Sequence, residues 1–546
     1  MVRKLFASLL VAFTVSANEV SFRSLQSGPN SLSTPLHDRG LHGENQIIAI
    51  LDTGLGWDNC YFLEPDGSAP PYNTGSPTGG LDWENVDHSR RKVIAYNYLY
   101  SCDQYPGAKG CEEAGAAGSF DNQGHGTHAA SAALGDKGAA IAHDYADAIA
   151  PGAKLVVQDA GFIGGDNCSH RPGIGCPVQM LPILEQAYKQ GARIHSNSWG
   201  DRQNTGPSGI PPTANYPASA RDVDAFVHDH PDMLVIFNTG NWGSDSKPAA
   251  GTVSAPGSAK NALQIGGTRA GNREDDVLAG YSLFGPTKDG RIKPDLVGPA
   301  RVIGGDIDFD KNPNTCDMTR QSGTSWSSPS VAGAAALARQ YYTEGFYPTG
   351  ARNAANAFTP SAALLKATLI ASARRVPYRR EGLIDVDTLP VPSNEQGWGF
   401  PVLDDALHFA GEARKLRVYD VPRASGLAKR QPLVRRFRVQ TGTPFKVVLV
   451  WTDPPGNRAV NATVPQLMND LDLVVTGPDG TRYFGNGAND DRNTVETVAF
   501  ETPSAGQYAV QVGAEDILQG ERQGYALVIV GDVSDVSAGK SRSVRH

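Results

Sequence analysis

The chain has 546 residues, 40% hydrophobic and 19% charged, with 61 glycines and 37 prolines. It is too long for one compact core and too apolar for a disordered or fibrous protein. Its net charge of −8, with both signs interspersed, leaves no polybasic stripe, so neither nucleic acid nor an anionic membrane surface is an expected partner.

The first residues, MVRKLFASLLVAFTVSANEV, place Arg3 and Lys4 before an apolar run from Leu5 to Val15. Val15-Ser16-Ala17 then forms a small-residue cleavage site. This is a short secretory signal over 1–17, which predicts a secreted protein. No later segment approaches the roughly 20 apolar residues of a membrane span. A short N-terminal segment, 18–45, follows.

From 46 to 412, short apolar runs alternate with amphipathic stretches. Gln46–Leu51, Lys154–Val157, Arg193–His195 and Met233–Phe237 read as strands. Thr127–Leu134, Gln179–Lys189, Asp222–His230 and Pro329–Tyr342 read as helices. Continuous rather than alternating apolar strands predict burial on both faces, hence an α/β fold with a doubly wound, mostly parallel sheet. Sites in such folds lie at the carboxyl ends of the strands, where Asp52 stands. Over 413–535 the texture changes to short strands, among them Phe445–Val450, Leu471–Val475 and Tyr525–Val530. Turns such as Pro478-Asp479-Gly480 separate them, predicting an all-β sandwich. Residues 536–546 read as a disordered tail.

Three segments carry chemistry. ILDTGLG sets Asp52 directly after a buried strand. An aspartic protease needs two such carboxylates, and the chain has one Asp-Thr-Gly. DNQGHGTHAASAALG sets His125 between two glycines where a helix begins; His128 follows one turn later without the His-Glu-x-x-His pattern of a metal pair. SGTSWSSPSVAGAAALARQ sets Ser325 at the mouth of a long helix, where unpaired N–H groups and the helix dipole favour developing negative charge. The order Asp, His, Ser is that of subtilisin, not of chymotrypsin or the α/β-hydrolases.

ILDTG, GHGTH and SGTSWSSP together resemble the active-site blocks of the subtilisin-like serine proteases, the subtilases, over roughly residues 40 to 410. The resemblance implies a serine endopeptidase acting on proteins or peptides, with Asp52, His125 and Ser325 catalytic. Asn238-Thr239-Gly240-Asn241 resembles the block whose last Asn donates into the oxyanion hole, here Asn241. Its Asn238 and Thr239 replace the usual Ala-Ala and imply a more polar wall to the specificity pocket, completed by Gly240. Ser198-Trp199-Gly200 resembles the strand that pairs with substrate backbone. Trp326 stands where many members carry an oxidisable Met. GARIHSNSWG, GWGFPVLDDAL and the segment from WTDPPG to RYFGN are similar to the Kp43-type branch, which carries a C-terminal β-sandwich. Positions 18–45 leave less room than the usual pro-segment of the family needs.

Calcium is an expected structural cofactor, with Asp470, Asp472, Asp490 and Asp491 the candidate ligands beside Asn489, since hard cations want several oxygens. Six cysteines suit an oxidising compartment. The spacing suggests Cys102–Cys111 and Cys168–Cys176, leaving Cys60 and Cys316, and does not fix the connectivity. The segment from Trp57 to Phe120 reads as a surface insertion near the cleft. A monomer is expected.

Overall fold

The computed structural model describes residues 17–536 apart from 29–30, 32, 74, 77–79, 100–120, 122–123, 139–146, 161–178, 201–214, 243–248, 270–276, 307–317, 377–388 and 458–462. Residues 1–16 of the signal segment, residues 537–546 of the tail and Cys102, Cys111, Cys168, Cys176 and Cys316 lie outside the described residues. Cys60 is disulfide-bonded, and the expected pairings are not described.

An eight-stranded parallel sheet forms the first half of the molecule. Its spatial order is 296–299, 263–268, 234–238, 194–197, 47–52, 154–159, 93–98 and 72–73. Ile47–Asp52 lies centrally, paired in parallel with Lys154–Asp159 on one side and Ile194–Asn197 on the other. The chain crosses from 154–159 to 194–197 over that strand, so the strand order reverses there. Such a switch point opens a crevice beyond the strand ends. Five of the six residues of Ile47–Asp52 are buried, as the continuous apolar run predicts.

Six α-helices are described: α1 (Ala17–Ser27), α2 (His125–Leu134), α3 (Met180–Lys189), α4 (Ala218–Asp229), α5 (Thr324–Thr343) and α6 (Ala362–Ala371). In α5, alanine, serine and glycine make up half of the 20 residues and nearly every side chain is buried, so this helix runs through the interior of its layer. α1 belongs to the folded body. Phe22 and Leu25 are buried, and Gln26 accepts from the backbone N–H groups of Leu36 and His37, both at 3.1 Å.

The described part of 57–120 departs from the sequence expectation of a surface insertion. Tyr61 and Phe62 are buried, and Tyr72–Asn73 and Val93–Tyr98 are strands of the main sheet. The Arg91 guanidinium donates to the carbonyls of Tyr61 at 3.2 Å and Leu63 at 3.0 Å. That anchors the segment to the body.

Beyond 414 two antiparallel sheets face each other. One holds 415–421, 525–531, 445–450 and 495–500; the other holds 482–484, 469–476, 506–517, 433–439 and 533–535. Alternate residues such as Val447, Leu449, Leu527 and Ile529 meet Phe437, Leu471, Leu473 and Val512 in one core. The opposite residues of the four-stranded sheet, Leu416, Val448, Val450, Val528 and Val530, belong to the core of the α/β half, where α6 packs across them. Tyr525–Gly531 is consequently buried at every position, and its sheet is a layer common to both halves.

Buried charge reinforces the seam. Lys260 Nζ stands 2.8 Å from Asp453 Oδ2 and 3.8 Å from Asp224 Oδ2, with all three side chains inaccessible. It also donates to the carbonyls of Pro454 at 2.6 Å and Gln466 at 2.9 Å. Among the described residues no helix is long and apolar enough to cross a membrane.

Candidate active site

Asp52 ends the central strand and is 2% exposed. Its Oδ1 accepts from the Thr53 N–H at 2.8 Å and stands 2.6 Å from His125 Nδ1. His125 opens α2. The approach is close because Gly126 has no Cβ: one added there would stand 2.1 Å from the Gly54 carbonyl oxygen.

Asp121, which sequence reasoning missed, holds this helix start. Its Oδ1 accepts from Gly124 N–H at 2.9 Å and Thr53 Oγ1 at 2.8 Å, and its Oδ2 from Thr127 N–H at 2.7 Å and Thr127 Oγ1 at 2.8 Å. A carboxylate meeting otherwise orphaned N–H groups is a helix cap. The Asp-x-x-Gly preceding His125 was the available signal. Burial, the largest influence on the His125 imidazole, lowers its pKa. The charge and hydrogen bond of Asp52, with the charge of Asp121, outweigh it and hold the pKa above its usual 6.5.

Ser325 is the second residue of α5 and is 7% exposed. Its hydroxyl donates to the Ser198 carbonyl at 3.4 Å, and its own carbonyl accepts from Ser198 Oγ at 2.7 Å. The next residue, Trp326, packs against His125 with ring centroids 4.8 Å apart and the planes tilted by 41°, so the mouth of α5 lies against the imidazole.

Asn241 Oδ1 accepts from the backbone N–H of Thr324 at 2.8 Å and from its hydroxyl at 2.9 Å. Only the amide oxygen can accept from that N–H, so Nδ2 faces the other way. It stands 3.5 Å from where a Cβ on Gly323 would be, and Ser325 N is 3.8 Å from the same point. Two donors thus flank a space that glycine leaves open.

The remaining substrate-binding candidates divide. Ser198 bonds to Ser325 as above, and Trp199 packs edge-on to Phe237 at 5.7 Å. A Cβ on Gly200 would stand 2.4 Å from Ser254 Oγ. Thr239 is fully buried and Asn238 is 3% exposed, so the polar residues replacing Ala-Ala turn mostly inward. Gly240 has φ +92°, and a Cβ there would stand 2.7 Å from Leu283 Cδ1.

His128 is fully buried beside Trp326, and burial lowers its pKa to about 3; it is a neutral packing residue. Among the described residues no group of three or more His, Cys, Asp or Glu could hold a metal ion.

The four calcium candidates are unlike one another. Asp490 accepts from Asn486 Nδ2 at 2.7 Å and Asn493 Nδ2 at 2.8 Å, while Asp491 is exposed beside Arg492. Asp470 and Asp472 share one face of strand Asn469–Thr476, and Asp470 Oδ1 is buried without a hydrogen-bond partner among the described residues. Burial, then the charges of Asp472, Asp490, Asp491 and Glu515, push the Asp470 pKa up to about 7. Burial, with the charges of Asp472, Asp490 and Asp470, pushes Glu496 up to about 9 against the Leu473 N–H bond.

Asp52 in contact with His125 at a strand end, and Ser325 at a helix mouth whose next residue packs on that imidazole, follow the chain order Asp–His–Ser of the subtilisin-type serine hydrolases. The sequence model described as the subtilase family matches residues 43–399, and the chain belongs to that family. Among similar proteins, the serine protease/ABC transporter B family protein tagA of Dictyostelium discoideum is 24% identical over 634 residues, covering 96% of this chain and 32% of that protein. Bacillopeptidase F of Bacillus subtilis (strain 168) is 24% identical over 308 residues, covering 55% of this chain and 18% of its own length. The chain therefore spans about a third or less of the length of these relatives. A solved structure, that of the prenylagaramide maturation protease PagA, matches at 17% identity with TM-score 0.40, over 68% of this chain and 94% of that one.

Proposed function

We propose that this chain is a secreted serine endopeptidase in which Ser325 is the nucleophile, His125 the general base and Asp52 the residue that orients it. The reading rests above all on the 2.6 Å contact between Asp52 Oδ1 and His125 Nδ1. That bond fixes the proton on Nδ1 and leaves Nε2 as the basic nitrogen.

As Ser325 Oγ bonds to the peptide carbonyl carbon, His125 takes its proton and the carbonyl π pair moves onto oxygen. Asn241 Nδ2 and the Ser325 N–H receive that charge. Collapse expels the amine, which takes the proton from His125, and water repeats the sequence on the acyl-enzyme. Asp52 stays ionised and stabilises the imidazolium. Asp121 acts through the helix start that carries His125.

Ser198, Trp199 and Gly200 supply backbone for pairing with an extended substrate, and Gly240 lies against the same Ser254 side chain as Gly200. Protein or peptide chains are the substrates, the enzyme works as a monomer, and the N-terminal segment directs export. Calcium at Asp470 and Asp472, completed by water, would supply the positive charge those carboxylates lack.

Hydrolysis of a denatured protein and of a fluorogenic peptide library by wild type and by Ser325→Ala tests the reading. Wild type is expected to cleave internal bonds and Ser325→Ala to lose the activity. Equal cleavage by both would remove the nucleophile assignment.

A further inference from the structure

We propose that the Trp326 indole N–H is a third donor to the oxyanion, beside Asn241 Nδ2 and the Ser325 backbone N–H. The proposal rests on the serine-peptidase reading above. Trp326 is 3% exposed, yet its Nε1 has no hydrogen-bond partner among the described residues. An indole nitrogen can only donate, and a buried donor left unmet is costly enough to call for an explanation.

The position of that nitrogen supplies one. It is 3.6 Å from the point where a Cβ on Gly323 would stand, while Asn241 Nδ2 is 3.5 Å and Ser325 N 3.8 Å from the same point. Three N–H donors therefore lie within 3.8 Å of one point that Gly323 leaves without a side chain, which an oxygen can approach more closely than a methyl group would.

The indole is held in place. Its ring lies 4.8 Å from that of His125 and 4.2 Å from that of His128, and Ala129, Ala132 and Val302 pack around it. The donor is fixed before substrate arrives, so little reorganisation is needed when charge develops. This is the condition under which an oxyanion donor contributes most.

The test compares wild type with Trp326→Phe, which keeps an aromatic ring and loses the N–H. Steady-state hydrolysis of a fluorogenic peptide is paired with NMR of the full chain carrying ¹⁵N-indole label, free and with a peptidyl boronate. The boronate adds to the serine and places an anionic oxygen in the hole. Trp326→Phe is expected to lower kcat about tenfold to a hundredfold with KM changed less than about twofold, the pattern of an interaction made only in the transition state. The indole resonance missing from the Trp326→Phe spectrum is expected to move downfield in the boronate adduct. An adduct in which none of the seven indole resonances of the wild type moves downfield overturns the proposal, whether or not the variant folds. If boronate and fluorophosphonate both fail to modify Ser325, the nucleophile assignment fails and this proposal falls with it.

Discussion

Cutting the chain after Glu412 removes the β-sandwich and tests whether the α/β half stands alone. Leu416, Val448, Val450, Val528 and Val530, each at most 3% exposed, are buried in the α/β core and not inside the sandwich. At about 1.5–3 kcal/mol per buried aliphatic side chain, this face contributes at most about 8–15 kcal/mol, before the area covered on α6 is counted. Whole-protein stability is about 5–15 kcal/mol, so the loss is comparable to the total. The cut also takes Asp453 and the Pro454 and Gln466 carbonyls from Lys260, leaving a buried ammonium with Asp224 at 3.8 Å. The fragment is expected to aggregate or to melt far below the full chain in a circular-dichroism scan, with little fluorophosphonate labelling. A fragment that melts cooperatively near the full-chain temperature and labels equally would refute the reasoning.

Because Asp52 and Asp121 hold the His125 pKa above 6.5, kcat/KM is expected to fall with acidification through a midpoint above that value. The stability that His125 derives from its raised pKa runs the other way: it is complete below about 6.5 and is lost as pH rises through the folded-state pKa. A profile with its acid limb near pH 4 would contradict this assignment. Hydrogen peroxide at concentrations that oxidise exposed Met is expected to leave activity intact, because Trp326 is buried beside the nucleophile; rapid loss with oxidation mapped to Trp326 would count against it. Adding EGTA is expected to lower the melting temperature, and Asp470→Asn with Asp472→Asn to abolish that response. An unchanged melt with chelator would remove calcium from the account.

The main sheet was legible where its strands were continuous apolar runs: the expected 46–51, 154–157 and 233–237 correspond to observed strands 47–52, 154–159 and 234–238. Leu263–Thr268 and Leu296–Pro299 escaped notice because glycine or proline interrupts both, and burial inside the sheet overrides their weak propensity. Leu433–Val439 carries three arginines, Arg436 and Arg438 exposed and Arg435 half-buried on the opposite face, which breaks the apolar signal. The chemical residues were readable because each sits in a distinctive glycine-rich block. Asp121 offered only the Asp-x-x-Gly spacing before His125, since a capping carboxylate otherwise looks like any loop aspartate until its N–H partners are in place. The third layer formed by α6 and the sandwich was signalled by the unbroken YALVIV run, whose burial on both faces needs a neighbour that sequence alone does not name.

The most direct measurement is mass-spectrometric mapping of a fluorophosphonate adduct on the full chain across a pH series, with Asp52→Ala and His125→Ala alongside. The account predicts one phosphorylated residue, Ser325, modified faster as His125 loses its proton and barely modified in either variant. An adduct elsewhere, or equal rates in all three proteins, would contradict it.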